Sequence, residues 1–367
     1  MYQPFFPVFL AARGLSPEAI GLAIAVPTLV KLAATPATGV LWDRLDRPRA
    51  ILAVLGLGAA AGFALAGLSG SALAILLAVA FSALFWTPIF SLLDAFAVRL
   101  GRFAAVDYGR ARLWGSAAFI AGNLLAGIAL GLLPDAAIIW LIVAPFLLFG
   151  LSAWTLPTLP PPRPAPAEAA EARIVSAPLV LGITAAALVQ ASHATFYALG
   201  SVHWTGIGYG PGLIGILWSL GVIAEIVLFT FGGRAVEKFS ALMLVAFGGL
   251  AALVRFAAMA FDPPAAWLFP LQLLHGLTFG ATHLGLVALI AATVPDRALG
   301  RAQGLASTAI SLAVGLATLA CGPLYSAYGA AAYLASAAMG ALGLVLALFA
   351  LAQPQSSGPG GKMRAPS

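Results

Sequence analysis

Apolar residues in this chain form long blocks, and most polar residues are confined to the short breaks between them. Eleven blocks are long enough to cross a bilayer core about 30 Å thick, which takes around 20 apolar residues in a helix. The blocks lie at 17–42, 50–68, 72–98, 110–132, 136–156, 178–200, 211–232, 241–261, 265–292, 302–325 and 330–352. The pattern predicts an all-α polytopic membrane protein.

The first twelve residues form an additional, shorter apolar segment. At about 1.5 Å per residue they would cover only roughly 18 Å of membrane, and Pro4 and Pro7 interrupt them. The basic start and the small-residue cleavage site of a signal peptide are absent. We therefore interpret residues 1–12 as the outer half of a first helix whose beginning is missing. This gives about 11 full transmembrane helices plus a half.

Composition excludes a water-soluble domain. Hydrophobic residues make up 62% of the chain and charged residues 8%, and the mean hydropathy is +1.03. A soluble domain with that much apolar surface would aggregate. A single cysteine, Cys321, cannot form an internal disulfide, and we expect no metal or cofactor.

Basic residues predict the orientation of the helices. Fifteen of the eighteen Lys and Arg residues fall in loops or tail segments on one side of the predicted bundle, and such residues concentrate on the cytoplasmic side. With the first helix restored, both termini would be cytoplasmic, in a plasma (inner) membrane. The net charge of +6 reflects this bias and gives no reason to expect nucleic acid. The expected partners are membrane lipid, a small-molecule substrate and protons, and we expect a monomer.

A proline-rich connector at 157–177 divides the chain into two blocks of similar length. Its prolines forbid a continuous helix and favour an extended strap. We predict an N-terminal helix bundle at 1–156, with helix 1 incomplete, and a C-terminal bundle at 178–352. Residues 353–367 are predicted to be a disordered cytoplasmic tail. A plan of two six-helix halves is typical of transporters built from repeated halves.

Polar residues inside the predicted helices are candidates for substrate binding, because each one is costly in a bilayer. Histidine can relay protons or bind a carboxylate, while satisfied interhelical hydrogen bonds, or a snorkelling lysine, are the structural alternatives. Gln190, His193 and Tyr197 follow one stripe, and His275 and His283 are predicted to lie within about 80° around one helix. The substrate-binding candidates are Lys31, Trp86, Gln190, His193, Tyr197, Gln272, His275 and His283.

Two intramembrane carboxylates, Asp94 and Glu225, are the candidates for proton coupling. Burial favours the protonated form of a carboxylate and a nearby cation favours the charged form, which is the competition that a proton-coupled site needs. Asp94 is expected to share a helix face with Trp86. The alternatives are a structural ion pair for Asp94 and a structural pairing of Glu225 with Arg255, which itself is expected to snorkel.

The loop at Gly39–Arg49 packs five charges into eleven residues between two apolar blocks. We predict a gating turn here, in which Asp43, Arg44 and Arg47 take part and in which Arg110 and Arg112 could pair with Asp43 or Asp46. Positive-inside anchoring is the alternative. The spacing resembles the loop signature of the major facilitator superfamily, although Asp46 replaces a glycine of that signature.

Three further segments resemble one branch of that superfamily, the phenylpropionate-permease-like proton symporters. They are Asp107–Ser116 with Asp94 ahead of it, His275–His283 running on to Gly304, and Leu15–Gly21. The resemblance implies a twelve-helix major facilitator fold with two six-helix bundles, a central cavity and import coupled to protons. The glycine-proline motif typical of drug antiporters is absent from residues 115–131, which argues against export.

The sequence-based hypothesis is a secondary active transporter that imports a small organic acid, aromatic acids included, together with protons by alternating access. An exporter on the same fold is the first alternative. A non-transporting sensor or assembly factor on a transporter scaffold is the second. An intramembrane enzyme is not expected, since the sequence contains neither a His-Glu-x-x-His nor a Gly-x-Ser-x-Gly signature.

Overall fold

The computed structural model describes residues 2–45, 47–101, 108–158, 176–295 and 298–353, excepting the side chains at 43, 98–99, 101, 108–113 and 300. Every regular element in this part of the chain is helical. The predicted connector and tail lie largely outside it. For description, residues 2–158 are called the first half and residues 176–353 the second half.

Sixteen α-helices follow one another along the described chain. They are α1 (Tyr2–Ala12), α2 (Pro17–Leu45), α3 (Pro48–Leu68), α4 (Ala72–Trp86), α5 (Ile89–Gly101), α6 (Tyr108–Leu130), α7 (Ile138–Ser152), α8 (Ala177–Ala191), α9 (Ser201–Gly206), α10 (Pro211–Thr230), α11 (Gly232–Lys238), α12 (Ala241–Met259), α13 (Ala265–Leu273), α14 (Thr282–Thr293), α15 (Leu299–Tyr328) and α16 (Tyr333–Ala352). Short 3₁₀ turns at Asp135–Ala137, Ala153–Thr155 and Gly329–Ala332 lie at helix ends.

The predicted all-helical membrane architecture is confirmed. Nine stretches of the described residues are long and apolar enough to cross a membrane, the last of them containing both α15 and α16, and a shorter apolar helix covers Trp114–Leu130. Each of the eleven predicted blocks therefore corresponds to a helix or to a helix with one break. The helix α1 has 11 residues, and its side chains Phe5, Phe6 and Phe9 are buried among the other helices.

A break separates α4 from α5 at Thr87 and Pro88. Proline lacks an amide hydrogen and its ring clashes with the preceding turn, so the helix cannot run straight through this position. Trp86 and Asp94 therefore lie on two successive helices, α4 and α5, and the face that they were expected to share stays a prediction.

Two membrane helices of the second half contain a π-helical turn. One turn, Phe196–Gly200, joins α8 to α9, and the other, Gly276–Ala281, joins α13 to α14. A π turn adds a residue relative to α-helical geometry and shifts the face on which later residues lie; such turns are common at functional sites. The second turn lies between His275 and His283. The rings of His275, Phe279 and His283 nevertheless stack in sequence, with centroids 5.5 Å and 6.3 Å apart, so the two histidines are linked through Phe279 along one side of this membrane helix.

The two membrane faces of the bundle are named here by their loops. The basic-loop side carries the connection between α2 and α3 around Arg47, and the opposite side carries the connection between α1 and α2 around Arg13. Arg13 donates hydrogen bonds to the carbonyl oxygens of Gly67, at 3.2 Å, and Ser69 at the end of α3. A cation placed there stabilises the free carbonyls and dipole of the helix C-terminus. This contact gives the basic residue of that loop a structural role.

On the opposite side the two halves touch through glycines. A Cβ atom at Gly322 of α15 would lie 2.6 Å from Glu18 of α2, and one at Gly127 of α6 would lie 2.8 Å from the carbonyl oxygen of Pro211. Only a residue without a side chain permits backbones to approach this closely. These contacts close one end of a cavity of about 620 Å³ that lies between the halves.

Replacing Gly322 with valine should separate α2 from α15 and open the cavity toward the opposite side. The measurement is the labelling rate of a cysteine at position 222, in a Cys321→Ser background, by a membrane-impermeant maleimide added from that side. We expect the rate to rise several-fold. Gly304→Val is the matched control, because a Cβ atom there would meet no neighbour within 4 Å. Equal labelling of the two variants would contradict a glycine-dependent closure.

Candidate binding site

The cavity has one largely apolar wall and one polar wall. Among its lining residues, the first half contributes Gln3, Phe90, Leu93, Asp94, Phe96, Ala97, Leu100, Gly115, Ser116, Phe119 and Leu156, and the second half contributes Phe196, Tyr197, Trp218, Gly221, Val222, Glu225, Arg255, Gln272, His275 and Phe279. Leu100 and Leu156 lie at helix ends on the basic-loop side. The cavity therefore extends from the middle of the bundle toward that side.

Arg255 of α12 is the most unusual residue of the polar wall, because its side chain is fully buried. One terminal nitrogen, Nη1, donates to Nδ1 of His275 at 3.2 Å, and the other, Nη2, donates to Oε1 of Gln272 at 2.8 Å. Among the described residues, its Nε atom has no hydrogen-bond partner. A buried cation whose hydrogen-bond partners are neutral is costly and favours the arrival of an anion.

Two aromatic rings flank the guanidinium. Its central carbon lies 4.9 Å from the ring centroid of Phe196 and 5.1 Å from that of Phe256. The negative face of an aromatic ring attracts a cation, most strongly where water is excluded. The rings therefore offset part of the desolvation cost and hold the guanidinium plane in place.

The hydrogen bond from Arg255 determines the tautomer of His275. A guanidinium can only donate, so Nδ1 of His275 must accept, and the neutral ring carries its hydrogen on Nε2. That Nε2 lies 4.0 Å from Oε2 of Glu225, a side chain that is 22% exposed toward the cavity. Arg255, His275 and Glu225 thus form a continuous line of polar groups from α12 to α10.

His193 supports this line from behind. Its Nδ1 donates to the carbonyl oxygen of Gln190 at 3.1 Å, so its Nε2 accepts from the hydroxyl of Thr278 at 2.8 Å. The same hydroxyl oxygen lies 3.4 Å from Nη1 of Arg255. Gln190 in turn donates from Nε2 to the carbonyl oxygen of Phe279 at 3.4 Å. Thr278, within the second π turn, joins the two histidines to the arginine.

An aromatic surface lies next to Arg255. The ring of Trp218 stacks on Phe196, with centroids 4.6 Å apart, and on Tyr197, with centroids 5.8 Å apart. The indole Nε1 of Trp218 donates to the hydroxyl of Ser201 at 3.0 Å, which fixes the ring orientation. A planar ligand with an anionic end would find both its partners on this wall.

The structure brings most of the sequence-predicted residues to one place. Four of them line the cavity beside Arg255, namely Tyr197, Glu225, Gln272 and His275, and Asp94 lines it from the first half. Two more, Gln190 and His193, form a layer behind the lining residues. The other candidate residues lie away from this cluster or outside the described residues. The functions assigned to all of these residues stay predictions.

Besides Gln190 and His193, three further substrate-binding candidates are not among the residues that line the cavity. Lys31 is exposed on α2. Trp86 stacks obliquely on Tyr2, with ring centroids 5.3 Å apart. His283 is exposed and its ring lies beside Phe279, with centroids 6.3 Å apart.

The gating prediction falls mostly outside the described residues. Arg44 and Arg47 are exposed on the basic-loop side. The side chains of Asp43, Arg110 and Arg112 are among those that the structure does not describe. Their predicted pairing stays a prediction.

Of the two interpretations of Arg255, the one in which its side chain snorkels is wrong. It does not snorkel to a membrane surface but turns inward into the cavity wall. The signal was in the sequence, since an ionisable residue within a membrane span marks a functional site by default. Thr278 and Ser201 were also missed, because hydroxyls in membrane helices are too common to stand out in a sequence.

A bundle of membrane-spanning helices with a polar cavity between two halves, closed at one end by helix contacts, is the architecture of a membrane carrier. Residues 1–335 match the family model of the MFS_1-like family, and the chain belongs to this family. The resemblance to the major facilitator superfamily is thereby confirmed.

Two curated relatives and one solved structure show how far the similarity extends. A protein named probable 3-phenylpropionic acid transporter, from Escherichia coli (strain K12), is 28% identical over 339 residues, which cover 90% of this chain and 88% of the relative. The maltose permease of Geobacillus stearothermophilus is 29% identical over 318 residues, covering 83% and 78%. The crystal structure of the nucleoside transporter NupG superposes with a TM-score of 0.77 at 14% identity, covering 96% and 94% of the two chains. The last comparison concerns the fold alone.

The hydroxyl of Thr278 is expected to stabilise the folded protein. Thr278→Val removes the hydroxyl that donates to Nε2 of His193 and accepts from Arg255, and a buried polar group left unpaired costs about 1–3 kcal/mol. The melting temperature of the detergent-purified protein should fall accordingly. Thr282→Val is the matched control, since the hydroxyl of Thr282 is equally buried and has no hydrogen-bond partner among the described residues. A fall of the same size in the control would contradict the assigned hydrogen bonds.

Proposed function

We propose that this member of the family imports a small organic acid together with protons, and that Arg255 binds the carboxylate. The observation that carries the proposal is the fully buried guanidinium in the cavity wall, hydrogen-bonded to neutral side chains and with Nε unpartnered among the described residues. A carboxylate would supply the charge and the acceptors that this group lacks.

The geometry of the guanidinium suits a carboxylate. Arginine binds a carboxylate through two parallel N–H···O bonds, which are stronger and more directional than the bond that a lysine makes. The Nε edge of Arg255 is the one without a partner among the described residues. A substrate approaching that edge keeps the bond from Arg255 to Gln272 intact.

The rest of the substrate would lie against the aromatic wall. Trp218 and Tyr197 offer flat surfaces, and Phe90 and Phe119 offer an apolar surface from the first half. A cavity of about 620 Å³ has the size of a site for a small organic molecule. The name of the Escherichia coli relative, probable 3-phenylpropionic acid transporter, supports an aromatic acid as the substrate. The maltose permease name points to a neutral cargo, for which a buried cation offers no advantage.

Glu225 is the proposed proton-binding group, with Asp94 of the first half as the second candidate. Glu225 lies 4.0 Å from Nε2 of His275, which is bonded to Arg255, so its negative charge, when it is ionised, competes with an anionic substrate for the guanidinium. A proton on Glu225 removes this competition and admits the carboxylate. Import of one proton with one carboxylate leaves no net charge moved, so a pH difference can drive it.

The proposed orientation makes the basic-loop side cytoplasmic. The conformation described here is closed by glycine contacts on the opposite side, and its cavity extends toward the basic-loop side. In this proposal it is the inward-facing conformation of an alternating-access cycle. An exporter would run the same cycle in reverse, and a sensor would bind the acid without moving it.

Transport in proteoliposomes tests the proposal. With 3-phenylpropionate as the probe and an acidic exterior, wild-type protein should accumulate the acid against its gradient. Arg255→Gln should reduce uptake at least about 30-fold, since loss of one partner of a buried charge pair costs about 2–5 kcal/mol. Arg255→Lys keeps the positive charge but cannot form two parallel hydrogen bonds to a carboxylate, so uptake by this variant should also fall well below that of wild type.

The matched control for these variants is Arg234→Gln, because Arg234 is an exposed arginine of the basic-loop side. Uptake by the control should equal that of wild type. Unchanged uptake by Arg255→Gln would contradict the carboxylate site. Export driven by the reversed gradient, without uptake, would favour the exporter, and binding without transport would favour the sensor.

Removing the proton site should separate exchange from accumulation. Glu225→Gln mimics the protonated side chain, so exchange of labelled for unlabelled 3-phenylpropionate across the membrane should continue. Accumulation driven by the pH difference should be lost. If both Glu225→Gln and Asp94→Asn retain gradient-driven accumulation, the assignment of the proton to these carboxylates is wrong.

A further inference from the structure

We propose that protons reach the buried site from the opposite side along a line of side chains inside the second half, Asp262, His203, Tyr325 and Tyr333, separate from the path of the substrate. The proposal rests on the proposed proton-coupled function and adds the route by which the proton enters. The four residues are called the proton line below.

The outer three members of the proton line are joined by short hydrogen bonds. Nε2 of His203 lies 2.6 Å from Oδ1 of Asp262, and Nδ1 of His203 lies 2.7 Å from the hydroxyl oxygen of Tyr325. The side chain of Asp262 is 48% exposed, whereas that of His203 is 11% exposed. The line therefore begins in solvent and leads inward, with both ring nitrogens of the histidine engaged, as a relay requires.

Asp262 is held in an unusual conformation. Its φ angle is +47°, and it is the single non-glycine residue with positive φ in the part of the chain that the structure describes. Such a conformation costs free energy in a residue with a side chain and persists only where surrounding contacts impose it. Here it follows the end of α12 and places the carboxylate against His203.

Tyr333 is the inner member of the proton line. Its side chain is fully buried, and its hydroxyl has no hydrogen-bond partner among the described residues. Its ring stacks on Phe256, with centroids 6.2 Å apart, and Phe256 in turn flanks the guanidinium of Arg255 at 5.1 Å. A Cβ atom at Gly200, in the first π turn, would lie 3.1 Å from this hydroxyl, so the glycine leaves the hydroxyl uncovered. Buried hydroxyls without a partner are uncommon and call for an explanation.

Proton transfer along the line returns each group to its starting charge. Asp262 takes a proton from water and passes it to Nε2 of His203, while Nδ1 of the same ring gives its hydrogen to the oxygen of Tyr325. The original hydroxyl hydrogen of Tyr325 then moves to the oxygen of Tyr333, which in the same step releases its own hydroxyl hydrogen toward Glu225, the proposed final acceptor. The last transfer is interrupted in this conformation, because the hydroxyl of Tyr333 is unbonded here, and a bridging water or a small ring movement would complete it.

Arg255 makes this route depend on the substrate. Its fixed positive charge opposes the arrival of a proton at Tyr333, and a bound carboxylate neutralises that charge. Protons would thus enter when substrate is bound and would not leak through the empty carrier. The other titratable groups around the inner end are Cys321, Tyr197, His193, His275 and Glu225, of which Glu225 is the proposed final acceptor. On the opposite side, Glu18 of α2 bonds to Ser326, next to Tyr325.

Two transport modes in proteoliposomes test the proton line, with 3-phenylpropionate as the probe. His203→Gln and Asp262→Asn keep hydrogen-bonding side chains but cannot relay a proton, and asparagine tolerates positive φ. Accumulation driven by a pH difference should fall at least about tenfold in both variants, since positioned proton-transfer groups are worth factors of about 10²–10⁴. Exchange, which needs no net proton movement, should stay within about twofold of wild type.

Tyr325→Phe should behave in the same way, and Tyr328→Phe is its matched control. Tyr328 lies three residues further along α15 and is 66% exposed, so this variant should retain both modes. Full accumulation in His203→Gln would overturn the proposal. A parallel loss of exchange and accumulation would also overturn it, because it would show that the cluster only holds three helix ends together.

Failure of the proposed function has a different signature. Wild-type protein that shows no gradient-driven accumulation of any carboxylate would overturn both ideas. Another outcome is that Glu225→Gln and Asp94→Asn retain accumulation while His203→Gln loses it. This outcome would support the proton line as the route of entry and would overturn the assignment of Glu225 or Asp94 as the final proton acceptor.

Discussion

The burial of one positive charge is the constraint around which the second half is built. Moving a guanidinium out of water is costly unless other groups replace its hydration. Here Phe196 and Phe256 flank it, and Gln272 and His275 accept its hydrogen bonds. The bond to His275 fixes the tautomer that points a hydrogen toward Glu225. One buried charge thereby sets the orientation of the surrounding polar groups.

The helices that carry this network are those that depart from α-helical geometry. Each π turn follows a histidine of the site, His193 in one helix and His275 in the other, and Thr278 of the second turn joins both to Arg255. The helix contacts on the opposite side depend on glycines at close approach, such as Gly127 and Gly322. Regular helices with few glycines would not supply the π turns that carry Thr278. They would also not let the two halves approach closely enough to close the cavity on the opposite side.

Sequence patterns predicted the elements better than their internal geometry. Hydrophobic blocks identify membrane helices because backbone groups in lipid must be paired within the helix. The direction in which a side chain points is harder to predict, because it depends on the number of residues per helical turn, which changes at breaks and π turns. A break at Thr87 and Pro88 lies between Trp86 and Asp94, and a π turn lies between His275 and His283, and the sequence pattern predicted neither irregularity. Arg255 was misjudged because a long side chain can reach either a membrane surface or a cavity, and the packing of neighbouring helices decides which.

The most direct test of the central claim compares the binding of an acid with the binding of its neutral isostere. Purified wild-type protein would be titrated calorimetrically with 3-phenylpropionate and with 3-phenylpropanamide, which have nearly the same shape and differ in charge. If Arg255 binds a carboxylate, the acid should bind at least about 30-fold more tightly than the amide, as expected for a buried charge pair. Equal affinities for the two compounds would show that the buried guanidinium does not recognise the substrate, and would contradict the carboxylate site.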